Sequence, residues 1–271
     1  TRTLKALVDQ KSQWIQYNDQ PDVGTASNTY GHSKGVLAVD PSQNNGFWLT
    51  HSTPKFPESS GQGQYLFPST ETTYGQTFMC VKLIDQTTIE NIAAHLQYIR
   101  PFVYVNTMDD SSLSSYPTLL KVLGKEWITT AGSTTHSISS GPDKFTLVAK
   151  NANWGKAMWE DLVAPQFKKG LIVQSWIRGS AEGPYCTPKY SYDVVDTINM
   201  TMSDSSGNAQ TWSEGADHAK WGISSPGSYY ACVGDINRMT TQFSRGGGAI
   251  CLNSKVLHAQ LKSVVLTADS C

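Results

Sequence analysis

The chain has 271 residues, 39% hydrophobic and 16% charged, which suits a protein with a large buried core and excludes a disordered or fibrous one. A formal charge of −1 excludes a generic basic nucleic-acid coat near neutral pH, because phosphate binding needs a local excess of cations. In acid the balance changes: 21 basic side chains plus 6 imidazolium groups against 22 carboxylates would give +5, so a polyanionic substrate is best tolerated at low pH.

In chain order, Gly35 to Asp40 (GVLAVD) and Gly46 to Thr50 (GFWLT) are predicted strands joined by a polar turn at Pro41 to Asn45. Gln76 to Leu83 is a third strand. Thr87-x-x-Glu90 has the spacing of a capping box and predicts a helix through about Gln97. Phe102 to Asn106 returns to strand. Ser111 to Pro142, rich in Ser, Thr and Gly, is read as loops around one short helix at Thr118 to Leu123. Phe145 to Ala149 is strand-like, Lys156 to Val163 is helical until Pro165 stops it, and Gly170 to Arg178 is a buried strand. Trp221 to Ser224 and Tyr229 to Val233 are strands around a Ser-Pro-Gly-Ser turn, and Lys255 to Val265 closes the chain as a helix. Strands interleaved with helices at this spacing predict a layered α/β architecture.

No apolar run approaches the length of a bilayer span, and Thr1 to Gln10 lacks the cationic-then-apolar pattern of a signal peptide. Five cysteines without a C-x-x-C pair speak against a zinc ribbon and for disulfides. The acceptor triplet at Asn199 and the terminal Cys271 also suit an oxidising compartment. An odd count leaves one thiol without an internal partner.

Two H-x-K triplets carry the chemistry, His32/Lys34 and His218/Lys220. One alone means little. Here the surroundings repeat as well, each triplet being followed by a strand, a turn, a strand and a polar end. In extended backbone, residues i and i+2 share a face, so each motif presents an imidazole beside an ammonium. Two such half-sites can hold a phosphodiester, one imidazole attacking while the other protonates the leaving oxygen. Arg245-Gly246-Gly247-Gly248 reads equally as a backbone grip on phosphate or as a tight turn beside a cysteine. Trp48, Trp212, Trp221, Tyr229 and Tyr230 could stack on bases, although alternating aromatics more often fill a core.

The segments YNDQP (Tyr17 to Pro21), GHSKGVLAVD (Gly31 to Asp40), GFWLTHSTPKFP (Gly46 to Pro57), TYGQTFMC (Thr73 to Cys80), DHAKW (Asp217 to Trp221), CVGDINR (Cys232 to Arg238) and RGGGAIC (Arg245 to Cys251) resemble the deoxyribonuclease II family, faintly between about Thr107 and Trp212. The resemblance implies a phospholipase D-like fold: two similar α/β halves, here residues 1–106 and 107–271, related by a pseudo-twofold with the active site between them. It implies metal-independent hydrolysis of DNA in acid to 3′-phosphate and 5′-hydroxyl ends, with no cofactor and little sequence preference. It also implies a secreted or lysosomal protein, away from membranes.

Carried over by residue, His32, Lys34, His218 and Lys220 are the catalytic set, with His32 as the nucleophile that forms a phosphohistidine and His218 as acid and base. His51 and Thr53 on one side, and Asp235 and Asn237 on the other, are expected to orient the histidines or bind phosphate, with His51 opposing Asp235. The resemblance pairs Cys186 with Cys271 and Cys232 with Cys251. It leaves Cys80 to bind a companion chain supplying an upstream segment of the N-terminal half; a homodimer is a further expectation. Other readings stay open: a phospholipase D-type phosphodiesterase on another substrate, or a non-catalytic secreted nucleic-acid-binding or matrix protein.

Overall fold

The computed structural model describes residues 4, 13–59 and 66–271. It is a mixed α/β protein with two sheets. Strands β1 (Gln13–Asn18), β2 (Lys34–Asp40), β3 (Asn45–His51), β4 (Phe78–Leu83) and β5 (Val103–Asn106) form an antiparallel sheet in the order β4-β3-β2-β1-β5. The second sheet holds β6 (Ser133–Ser140), β7 (Asp143–Lys150), β8 (Leu171–Gln174), β9 (Val194–Ser203), β10 (Ala209–Ser213), β11 (Trp221–Ser224), β12 (Tyr230–Gly234), β13 (Gly247–Asn253) and β14 (Val265–Ala268). Its order is β10-β9-β8-β11-β12-β13-β7-β6, with β14 also on β9, and β8 with β9 is its parallel pair.

The strand that follows the first motif is apolar on both faces because both faces are covered. Leu37 and Val39 enter a core with Ile15, Tyr17 and Trp48, while Val36 and Ala38 meet Leu4, Leu49 and Phe56. Helix α1 (Gln86–Ile99) inserts Ile89, Ile92, Ala93 and Leu96 into the first of these cores, which also takes Leu147 and Ala149 of β7 and Ile250 of β13. One apolar core therefore spans the two sheets. On the far side of the second sheet, Trp159 packs so closely on β11 and β12 that a Cβ on Gly222 would sit 2.8 Å from its ring.

Several expectations change. Glu90 does not cap its own helix. Asp85 is the N-cap of α1, accepting from Thr88 N–H at 2.6 Å, while the Glu90 carboxylate accepts from Thr118 and Leu119 N–H at 2.8 and 3.1 Å and so caps α2 (Pro117–Leu123). Pro165 does not stop a helix: a π-helical turn at Trp159–Val163 runs into α3 (Ala164–Phe167), with Pro165 in its first turn, where a missing N–H is tolerated. The strand expected over Gly170 to Arg178 ends at Gln174, and the last helix, α4 (Lys255–Val264), passes directly into β14. The stretch read as loops contains β6, and β1, β9, β10 and β14 were not anticipated.

Disulfides join Cys232 to Cys251 across β12 and β13, and Cys186 to Cys271; Cys80 is a free, exposed thiol on β4. Asn199 lies within β9, and the amide nitrogen a glycan would take donates to Thr267 Oγ1 at 3.1 Å. No helix among the described residues is long and apolar enough to cross a membrane.

Candidate active site

Both motifs lie at the entrances of inner strands: Lys34 opens β2, between β1 and β3, and Lys220 directly precedes β11, between β8 and β12. Each histidine is anchored by backbone far from it in sequence. His32 N–H donates to Gly246 O and His218 N–H to Gly75 O, both at 2.8 Å. The accepting carbonyls occupy matching places, two residues before Gly248 and Thr77 respectively. Ser52 N–H donates to Thr77 O at 3.1 Å and its hydroxyl accepts from Thr77 N–H at 3.0 Å. Asp235 N–H donates to Gly248 O at 2.9 Å and its carboxylate accepts from Gly248 N–H at 3.1 Å. The counterpart of Asp235 is thus Ser52. His51, facing Phe78 across β3 and β4, corresponds to Gly234, which faces Ala249. The expected opposition of His51 and Asp235 is off by one residue.

His32, Lys34, His218, Lys220 and Asn237 line one pocket of about 710 Å³. His51, Thr53 and Asp235 do not line it. His51 is buried, stacked on Phe78 and edge-on to Phe56, and burial, with Lys34 nearby, pushes its pKa down to about 3. Its Nδ1 accepts from Thr53 N–H at 3.2 Å. Asp235 is buried beside the site, and desolvation pushes its carboxyl up to about 7.

Asp19 organises the His32 side. One of its oxygens accepts from Lys34 Nζ at 2.5 Å and the other from Arg245 Nη2 at 3.1 Å, with His32 Nε2 4.0 Å away. Burial, then the charges of Lys34, Lys220, Arg245 and His218, hold the His32 pKa well below its ordinary value, so this imidazole is neutral in mild acid. On the other side, His218 Nδ1 lies 3.2 Å from Glu71 Oε2 and 3.4 Å from Gln76 Nε2. Tyr74 stacks on the His218 ring at 4.2 Å and 9°, and Trp176 meets it edge-on at 4.4 Å. Burial, with Lys220, Lys34 and Arg178, pushes His218 down to about 4. Lys220 donates to His218 O at 2.7 Å and is pushed down to about 7, chiefly by burial and then by Lys34. His32 Nδ1 and His218 Nε2 have no partner among the described residues. No cluster of three or more His, Cys, Asp or Glu suited to a metal occurs among those residues.

Residues 1–271 match the sequence profile of the family described as Deoxyribonuclease II. The chain belongs to the deoxyribonuclease II family. Among its relatives, a protein of Burkholderia pseudomallei (strain 1710b) named a deoxyribonuclease-2 by assignment is 37% identical over 264 residues, covering 93% of this chain and 71% of the relative. Mouse deoxyribonuclease-2-alpha is 31% identical over 283 residues, covering 100% and 77%. The cell-death-related nuclease 7 of Caenorhabditis elegans is 30% identical over 268 residues, covering 95% and 69%.

In this deoxyribonuclease II chain, sequence reasoning missed Asp19, Glu71, Tyr74, Gln76, Trp176 and Arg178 as pocket or histidine contacts. Asp19, Tyr74 and Gln76 stood inside YNDQP and TYGQT, where they could have been singled out as polar or aromatic residues of a motif; Glu71 and Trp176 gave no pattern. The aromatics singled out instead lie elsewhere. Trp48 and Trp221 are core residues, and Trp212 donates to Asp217 Oδ2 at 2.9 Å.

The Arg245–Gly246 turn has its own clamp. Lys150 is fully buried, and its ammonium donates to Gln242 O, Phe243 O and Arg245 O at 3.0, 2.9 and 2.7 Å. Lys150→Met leaves Phe243 O and Arg245 O without a donor among the described residues, Gln242 O keeping the Arg245 N–H, and is expected to destabilise the protein by about 1–3 kcal/mol, the usual cost of unsatisfied buried polar groups. Activity should fall with it, because the turn supplies Arg245 to Asp19 and Gly246 O to His32. Thermal unfolding and DNA nicking of the variant check both effects.

Proposed function

We propose that this chain is a metal-independent acid endodeoxyribonuclease that cuts DNA in two steps through a phosphohistidine. The observation that carries the reading is the pairing of His32 and His218 in one pocket with Lys34 and Lys220, each imidazole keeping one ring nitrogen without a partner among the described residues. The lysines hold the non-bridging oxygens. A neutral His32 nitrogen attacks phosphorus, the bond to the 5′ oxygen breaks, and His218 gives that oxygen its proton. Water then attacks phosphorus, giving its proton to His218, and the phosphorus–nitrogen bond breaks, returning its electron pair to His32 and freeing the strand with a 3′-phosphate. Glu71 beside His218 Nδ1 favours the imidazolium that this role requires.

The repeated hydrogen-bond pattern around Gly75–Thr77 and Gly246–Gly248 supports a phospholipase D-like pseudo-twofold between halves 1–106 and 107–271. Two disulfides suit a secreted or lysosomal protein. The exposed Cys80 thiol, on the edge strand β4, is the group through which a companion chain would be bonded, and intact mass with and without reductant tests that link. Cleavage of plasmid DNA in excess chelator at mildly acidic pH tests the central claim; no cleavage, or cleavage restored only by magnesium, overturns it.

The pH dependence has a definite sign. His218 must be protonated to act, and in the free protein it loses its proton above about 4, so kcat/KM should fall as pH rises beyond that value. A bound diester offsets the lysine charges that depress His218 and raises its pKa. The basic limb of kcat should therefore lie at higher pH than that of kcat/KM, and coincident limbs would contradict the assignment.

A further inference from the structure

The cations of the pocket divide into two kinds. Lys34 and Arg245 share the one carboxylate of Asp19, each on a different oxygen. Lys220 is buried against its own motif and donates to His218 O. Arg178 and Lys55 also line the pocket, yet both are exposed, and neither forms an ion pair with a described residue. They come from opposite sides. Lys55 holds a left-handed backbone (φ 58°) and its N–H donates to Gln20 O at 2.8 Å, which places it beside the Asp19–Lys34–His32 group. The Arg178 guanidinium lies over the Trp176 ring, 5.1 Å from its centroid, and Trp176 is the ring edge-on to His218. Trp176 Nε1 and Arg178 Nη2 both donate to Gly215 O, at 3.0 and 3.3 Å, so the arm is held to the His218 side.

From this arrangement we infer that Arg178 and Lys55 bind the phosphates that flank the scissile one on a DNA strand, Arg178 on the His218 side and Lys55 on the His32 side. The inference rests on the nuclease reading above. A volume of about 710 Å³ far exceeds what a lone phosphodiester fills and falls in the range of about 300–1,000 Å³ typical of drug-sized ligands. A strand threaded through it meets buried cations at the centre and exposed ones, without an ion pair among the described residues, at both rims. Such rim cations exchange condensed counterions for phosphate, which makes their contribution visible as salt dependence.

The test compares duplex DNA with bis(p-nitrophenyl) phosphate, a diester that has no flanking phosphate, in excess chelator at acidic pH. Arg178→Gln and Lys55→Gln should each raise KM for DNA and flatten the plot of log kcat/KM against log salt by about 0.9, the value per phosphate contact in duplex DNA. Their loss on DNA should exceed their loss on the small diester at least about fivefold, and the double variant should lose both slope increments. Equal losses on the two substrates, or an unchanged salt slope, overturn the inference. If the wild-type protein cleaves neither substrate, the nuclease reading fails instead, and the salt slope of equilibrium binding to the same duplex, with and without the substitutions, still decides the rim sites.

Discussion

His32→Ala is expected to lower kcat on DNA by at least about 10⁴-fold, because it removes the atom that would carry the phosphoryl group and not merely a proton carrier. His218→Ala should cost a similar factor on DNA, since the 5′ oxygen is a poor leaving group without its proton. An activated leaving group separates the two roles. With bis(p-nitrophenyl) phosphate, His218→Ala needs no acid for the first step and should release one equivalent of nitrophenol in a burst as His32 is phosphorylated. His32→Ala should show no burst. The opposite pattern would exchange the roles of the two histidines. The geometry gives a reason to expect the first: Glu71 lies 3.2 Å from His218 Nδ1, close enough to stabilise a cation formed there, whereas the carboxylate near His32 is 4.0 Å away and is shared by Lys34 and Arg245.

What the sequence made legible follows from where each signal resides. Strands β2 and β3 stood out because both faces of β2 are buried, which writes an unbroken apolar run into the chain, and because the turn between them is rich in Pro, Asn and Ser. Strand β6, by contrast, is STTHSISS, and most of its residues are only half-buried, so it carries no apolar alternation to read. Glu90 misled because the spacing of a capping box is local, while the groups it caps lie 28 and 29 residues away on α2. The four motif residues were visible because two copies of one triplet signal each other. Glu71 and Trp176 were not, because they reach His218 through tertiary contacts that no sequence spacing encodes. The misplaced opposition of His51 to Asp235 has the same origin. Counting from each motif ignores register, and register pairs Ser52 with Thr77 in the way that Asp235 is paired with Gly248, leaving His51 beside Phe78.

Arg238→Met is expected to destabilise the protein by about 3–5 kcal/mol, the range for removing one partner of a buried ionic group. Arg238 is fully buried, with its guanidinium on Glu160 and Asp196 and one nitrogen 2.8 Å from Gly183 O. Without it, Glu160, Asp196 and the nearby Glu182 share a desolvated space with no counter-charge. The pH dependence follows from their shifts. Burial already raises Glu182 to about 8 and Asp196 to about 6. A carboxyl with a raised folded pKa contributes its full stability below the unfolded value near 4 and loses it as pH rises through the folded value. Removing Arg238 steepens that loss, so the variant should be hurt most near pH 8 and much less near pH 5. Buried histidines oppose this from the other side: His51 and His95, at about 3, contribute stability above the unfolded value near 6.5 and lose it as pH falls towards 3. The wild-type unfolding midpoint should therefore peak in mild acid. Denaturant unfolding of both proteins at pH 5 and pH 8 tests this, and a penalty equal at the two pH values would rule out the carboxylate account. The substitution should also reach the active site. Arg238 N–H donates to Ser175 Oγ at 3.0 Å, and the preceding Asn237 accepts from Trp176 N–H at 3.1 Å. The buried network thus fixes the backbone that presents Trp176 to His218, and acid that relieves the network is the same condition that protonates the histidine.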